Sequence, residues 1–215
     1  MKNVYIYCEG QTEEAFVNDV LGPYFANMQI WVYPIICETK RTASKKYKGG
    51  VADYDKIKKE LTILCKQHHN EIVTTMFDYY AMPDNTPMID CADVDIYSRI
   101  EKIEDAINHD IGQPNCRFNF SLHEFEGLLF SNPASFKLIA GEAVIDKIQR
   151  MKDEAPTPEH INNSPETAPS KRLEYLIPGY AKVKNGSILS QDMGIDVIMA
   201  NCKHFSDWVN SIKAF

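Results

Sequence analysis

Apolar and polar positions along the first 130 residues alternate between two periods. "NVYIYC" (residues 3–8) is a short run of β-branched and aromatic residues, which predicts a strand buried on both faces. After a polar turn, Ala15, Phe16, Val20 and Leu21 fall at helical spacing. Thr12 is the expected N-cap there, and Glu13 and Glu14 suit the positive end of the helix dipole. "IWVYPIIC" (30–37) predicts a second strand, with Pro34 placing it at an edge or a bulge. Ile57, Leu61 and Leu64 mark a helix, and "EIVTTMFD" (71–78) a third strand ending in Asp78. Ile96, Ile100, Ile103 and Ile107 form the stripe of an amphipathic helix. "CRFNFSL" (116–122) predicts a fourth strand, and "HEFEGLLFSNP" a short helix stopped by Pro133.

Strand–helix alternation of this kind predicts an α/β fold, a mainly parallel sheet with helices on both faces. The rest of the chain differs. Residues 134–152 read as helical, and residues 153–172 are a Pro-, Asn- and Ser-rich loop. The last forty residues hold helical pieces with aromatic anchors such as Phe205 and Trp208. We therefore expect an α/β domain over 1–132 and a helical and loop C-terminal extension over 133–215, packed on it.

Composition narrows the function classes. The net charge is -7 and the pI about 5.4, so a globally basic nucleic-acid footprint is absent. Any contact with nucleic acid would rest on a local basic patch or on bridging metal ions. Six cysteines lack C-x-x-C pairing and several sit in apolar runs, which suits reduced, buried thiols. The longest apolar run is too short to cross a bilayer, which takes about 20 residues, and no leader peptide is evident. A cytoplasmic protein with no membrane contact is the expectation.

Candidate chemistry gathers at strand ends. In an open parallel sheet, ligands bind beyond the carboxyl ends of the strands. Glu9 follows the first strand, Asp78 ends the third, and Glu124 and Glu126 follow the fourth. Carboxylates that converge repel one another unless a divalent cation sits among them, and magnesium or manganese prefers such oxygen donors. Basic residues cluster twice. Lys40, Arg41, Lys45, Lys46 and Lys48 precede Gly49–Gly50, and Lys171, Arg172, Lys182 and Lys184 form the second group. Either group suits a phosphate backbone, and neither has P-loop spacing.

Several stretches in one order, "EGQTEEAFV", "TTMFDYYAMP", "LHEFEGLLFSNP", "PEHINNSPETAPSKR", "YAKVKNG" and "CKHFSDWV", resemble a bacterial family, the domain-of-unknown-function family 4276. That family is similar to Toprim-like domains of topoisomerases, primases and nucleases. Its members resemble proteins encoded beside an ATPase of the AAA or ABC type, in phage-defence or DNA-repair settings. The resemblance implies a Toprim-like sheet. It gives Glu9 the place of the general acid or base, and Asp78 that of the first aspartate of a magnesium-binding D-x-D pair. Tyr80 stands where the second aspartate belongs, so Glu124 or Glu126 would supply the missing ligand. Arg41, Lys48, Lys171, Arg172 and Lys182 are the expected substrate-side residues. Two functions follow as expectations: a Mg²⁺- or Mn²⁺-dependent nuclease, or a non-catalytic Toprim-like sensor subunit of such an ATPase. In the second, Phe205 and Trp208 would anchor the interface, although packing of a terminal helix into the core is the first expectation for both.

Overall fold

The computed structural model describes residues 2–37, 53–161 and 167–214. Among the described residues, five short strands form one parallel sheet: β1 (Lys2–Cys8), β2 (Ile30–Ile36), β3 (Ile72–Asp78), β4 (Cys116–Arg117) and β5 (Phe120–Ser121). The order is β2-β1-β3-β4, with β5 also paired to β3. Pro34 lies in β2, an edge strand, as its missing N–H requires.

Alternate residues of the two central strands feed different cores. Val4, Ile6 and Cys8 of β1 and Ile72 and Met76 of β3 face one apolar cluster. Tyr7, Val73 and Phe77 face the other. That second layer is covered by α3 (Tyr54–Gln67) and α4 (Ile96–Ile111), through Ile57 and Leu61 and through Ile100, Ile103 and Ile107. α1 (Gln11–Phe16) covers the first, and a π turn (Val17–Leu21) joins it to α2 (Gly22–Ala26).

β4 and β5 keep one register against β3, Val73 opposite Cys116 and Phe77 opposite Phe120. The sequence pattern predicts one strand here, and the shared register keeps that line, but the pairing is broken into two pieces. At the gap the Thr75 hydroxyl donates to the Asn119 carbonyl (2.7 Å) and accepts from the Asn119 N–H (2.8 Å). A side chain there does the work of backbone pairing.

The C-terminal part folds onto the first face. Two 3-10 segments (Phe125–Ser131 and Pro133–Leu138) lead to α5 (Glu142–Asp153). Pro133 stops the first segment and opens the second. Then come α6 (Pro169–Leu176), α7 (Lys182–Met193), α8 (Ile195–Asn201) and α9 (Lys203–Ala214). Phe136, Ile148, Leu173, Leu189 and Val209 belong to the same core as Val4 and Phe16. Phe205 and Trp208 are buried there too, as the packing of a terminal helix into the core predicts, and do not stand out as interface anchors. The Trp208 indole N–H donates to the Thr74 hydroxyl (2.9 Å), which satisfies its polar edge. Among the described residues, no helix is long and apolar enough to cross a membrane.

A carboxylate cluster at the topological switch point

The chain leaves β1 towards β2 on one side and returns through α3 to β3 on the other. The crevice where the order reverses therefore lies at the carboxyl ends of β1 and β3, where parallel sheets bind ligands. Glu9 and Asp78 sit there. The Asp78 N–H donates to Glu9 Oε2 (3.0 Å), and the Phe125 N–H donates to Asp78 Oδ1 (3.0 Å). Three separate chain segments are thus tied together through two carboxylates.

The segment after β5 is placed by an unusual backbone. His123 has φ 66°, a left-handed value that a non-glycine residue adopts rarely. This turn directs Glu124 and Phe125 towards Asp78. Glu124 Oε2 accepts from the Ser170 N–H at the start of α6 (3.0 Å). Glu126 is buried, and the Lys182 ammonium lies 3.6 Å from its Oε1. α7 can approach so closely because residue 186 is glycine: a Cβ there would meet Phe125 Cε1 at 2.9 Å.

Glu13 belongs to this group as well. Gly10, not Thr12, is the N-cap of α1, and Glu13 turns back to accept from the Gly10 N–H (2.8 Å). Its carboxyl is buried and faces Glu9 and Glu126. Burial first, then Glu9, raises its pKa to about 7. Burial also raises Glu126 to about 7, against the pull of Lys182. Asp78 is pushed well above the usual aspartate range by burial, and then by Glu9, Glu13, Glu126 and Glu124. Burial opposes the charge of Lys182, yet Glu126, Glu124 and Asp78 hold its pKa above the ordinary lysine value.

A family model described as "Domain of unknown function (DUF4276)" matches residues 8–213. The chain belongs to this family. The DUF4276 match takes in Glu9, Asp78, Glu124 and Glu126, and the C-terminal helices up to residue 213. No curated protein and no solved structure matches the chain.

Within this DUF4276 chain, Glu9, Asp78, Glu124, Glu126 and Lys182 meet at one place, as their sequence positions suggest. Lys171 and Arg172 lie at the start of α6, beside the Ser170 that holds Glu124 but outside the cluster. Lys171 pairs with Glu174 (2.6 Å), and Arg172 donates to the Thr167 carbonyl (2.6 Å). Arg41 and Lys48, with the whole first basic group, lie outside the described residues. Tyr80 is exposed at the rim, close enough to Glu124 for that carboxylate to help burial raise its phenol. The residue that sequence reasoning missed is Glu13. No local signal marked it, because the helix dipole already accounts for an acid in a first helical turn.

The donor set suits a hard divalent cation. All five acids offer oxygen, and Lys182 is the cation set among them, which would leave four net negative charges if all ionised. Glu126 Oε1 is buried with no hydrogen-bond partner. The set is not preassembled, however. Among the described residues, no three His, Cys, Asp or Glu side chains are grouped so as to hold a metal ion as they stand. Backbone N–H groups each hold one oxygen of Glu9, Glu13, Asp78 and Glu124.

Proposed function

We propose that the chain is a Toprim-like, Mg²⁺- or Mn²⁺-dependent phosphodiester hydrolase acting on nucleic acid. It would work beside an AAA or ABC-type ATPase in phage defence or DNA repair. The observation that carries this reading is the convergence of Glu9, Asp78, Glu124 and Glu126 on the switch point of a parallel sheet, with Glu13 behind them. Glu9, Asp78 and either Glu124 or Glu126 would hold the cation. When bound, it would neutralise charge on the scissile phosphate and lower the pKa of an attacking water.

The chain's own groups supply the rest. Glu9 is placed to relay a proton at the end of β1. Glu13 and Glu126, at about 7, exchange protons readily near neutral pH. Lys182 offers a positive charge to an incoming phosphate. Lys171 and Arg172, at the start of α6, would add charge for a longer substrate. Because the net charge is -7, affinity has to come from such local groups and from the ion.

The test is cleavage of single- and double-stranded DNA and RNA with Mg²⁺ or Mn²⁺, comparing wild type with Asp78→Asn and Glu9→Gln. Metal-dependent cleavage that falls at least about a hundredfold in both variants is expected. Failure to cleave any of the four substrates with either ion overturns the reading. The second reading, a non-catalytic sensor subunit, is favoured by Tyr80 in place of a second aspartate and by the carboxylates' separate anchoring.

A further inference from the structure

Buried polar atoms without partners are rare in folded proteins, and a group of them commonly marks a place for water, an ion or a ligand. Among the described residues, six side chains carry such an atom: Thr86, His123, Glu126, Ser170, Tyr180 and Ser190. Four of these border one spot. Glu126 is in the carboxylate cluster, His123 precedes Glu124, the Ser170 N–H holds Glu124, and Tyr180 feels both Glu126 and Glu124. The remaining two lie elsewhere in the chain, so the concentration is local.

Tyr180 is the informative member. It lies in the turn between α6 and α7, where Gly179 takes φ 81° and the Tyr180 N–H closes on the Ile177 carbonyl (3.0 Å). The turn sets Tyr180 two residues before Lys182, the first residue of α7, whose ammonium lies 3.6 Å from Glu126 Oε1. The hydroxyl is out of reach of solvent and makes no hydrogen bond. Burial, with Glu126, Glu174 and Glu124, pushes the phenol pKa up, so it stays a donor. A buried donor close to the charges of Glu126 and Glu124, yet bonded to neither, is short of one acceptor oxygen.

We infer that Tyr180 is a substrate-binding residue whose phenol, together with the Lys182 ammonium, holds a non-bridging oxygen of a phosphodiester lying over the carboxylate cluster. This deepens the phosphodiester hydrolase reading and rests on it. It assigns phosphate recognition to the turn before α7, in the part of the chain beyond the strand–helix alternation.

The experiment separates binding from cleavage. Fluorescence anisotropy would measure the affinity of wild type and Tyr180→Phe for fluorescein-labelled ten-nucleotide single-stranded DNA and RNA, with Ca²⁺ in place of Mg²⁺. Thermal midpoints would be measured on the same proteins without ligand. Tyr180→Phe removes only the hydroxyl, so folding should survive. The expected result is affinity about tenfold weaker, the loss of one hydrogen bond to a charged group, with a midpoint unchanged or raised. Unchanged affinity overturns the inference. So does a lowered midpoint, which would show that the hydroxyl serves a structural water, and so does wild type that binds neither decamer. Cleavage by wild type and Tyr180→Phe alike, with equal affinity, sinks the Tyr180 assignment and spares the hydrolase. Weakened binding in a protein that cleaves nothing does the reverse.

Discussion

Glu13 and Glu126 illustrate what a buried acid does to a fold when its charge is opposed. Each has a folded-state pKa of about 7 against an ordinary value of 4.5. A raised pKa means that the folded state binds the extra proton, so its contribution to stability is complete below about 4.5 and is lost as pH rises through about 7. The loss is on the order of 3 kcal/mol for each residue. His123 has the opposite sign: burial, His160 and Arg99 hold it down to about 4, so it destabilises the fold as pH falls below its usual 6.5. The difference between wild type and variant is therefore the clean readout. Urea midpoints of Glu13→Gln should fall less steeply than those of wild type between pH 5 and pH 8, and millimolar Mg²⁺ should flatten the wild-type curve. A wild-type curve parallel to that of Glu13→Gln would show that the carboxyl is not strained. The same residue marks the limit of what the sequence makes legible at the site. Glu9 and Asp78 stand at strand ends, where an acid invites a question. Glu13 stands in a first helical turn, where the dipole already explains it, and only the tertiary fold shows it facing Glu9.

At the level of elements, side chains complete what the backbone leaves open. The fourth strand reads as one run because its apolar alternation is unbroken, yet it is paired in two pieces. What fills the gap is Thr75, a residue of the neighbouring strand, so no local pattern can announce it. Thr75→Val keeps the shape and removes the hydroxyl, stranding the buried N–H and carbonyl of Asn119. The expected loss is about 2–3 kcal/mol, readable as a lower urea midpoint. Glu159 plays a similar part for α9. Its carboxylate accepts from the His204 N–H (3.1 Å), the Phe205 N–H (2.9 Å) and the Tyr97 hydroxyl (3.0 Å). α7 depends instead on closeness. Gly186→Ala would gain about 1 kcal/mol of helix propensity. The Phe125 ring it meets at 2.9 Å is fully buried and packed edge-on against Phe16, so it cannot swing aside. Overpacking of about 1–3 kcal/mol should win, giving a net loss of stability and a displaced Lys182. A more stable Gly186→Ala protein in thermal denaturation would show that the helix can shift without harm.

For the whole molecule, the question is whether the part after residue 132 is an addition or a structural necessity. The parallel sheet was legible because strands buried on both faces leave apolar runs, and helices between them leave stripes at helical spacing. The packing of the last third was not legible, because an amphipathic stripe says that a face is buried without saying against what. Here it is buried against the sheet: Leu173, Leu189, Ile198 and Val209 join Val4, Ile6, Phe16 and Phe125 in one cluster. The chemistry is shared in the same way, since Ser170 holds Glu124 and Lys182 faces Glu126. A chain ending at Asn132 would expose Phe16, Phe25, Phe125 and Phe130, all fully buried in the intact protein. At about 25 cal/mol per Å² of apolar surface, and 150–250 Å² for each ring, that loss reaches on the order of 10 kcal/mol or more. This is as large as the whole stability of a typical domain. Such a chain should therefore keep part of its secondary structure by circular dichroism but bind hydrophobic dyes and melt without a cooperative transition. Cooperative melting of that shortened chain would instead make residues 1–132 a self-sufficient unit, and the carboxylate cluster would then have to function without Lys182 and Tyr180.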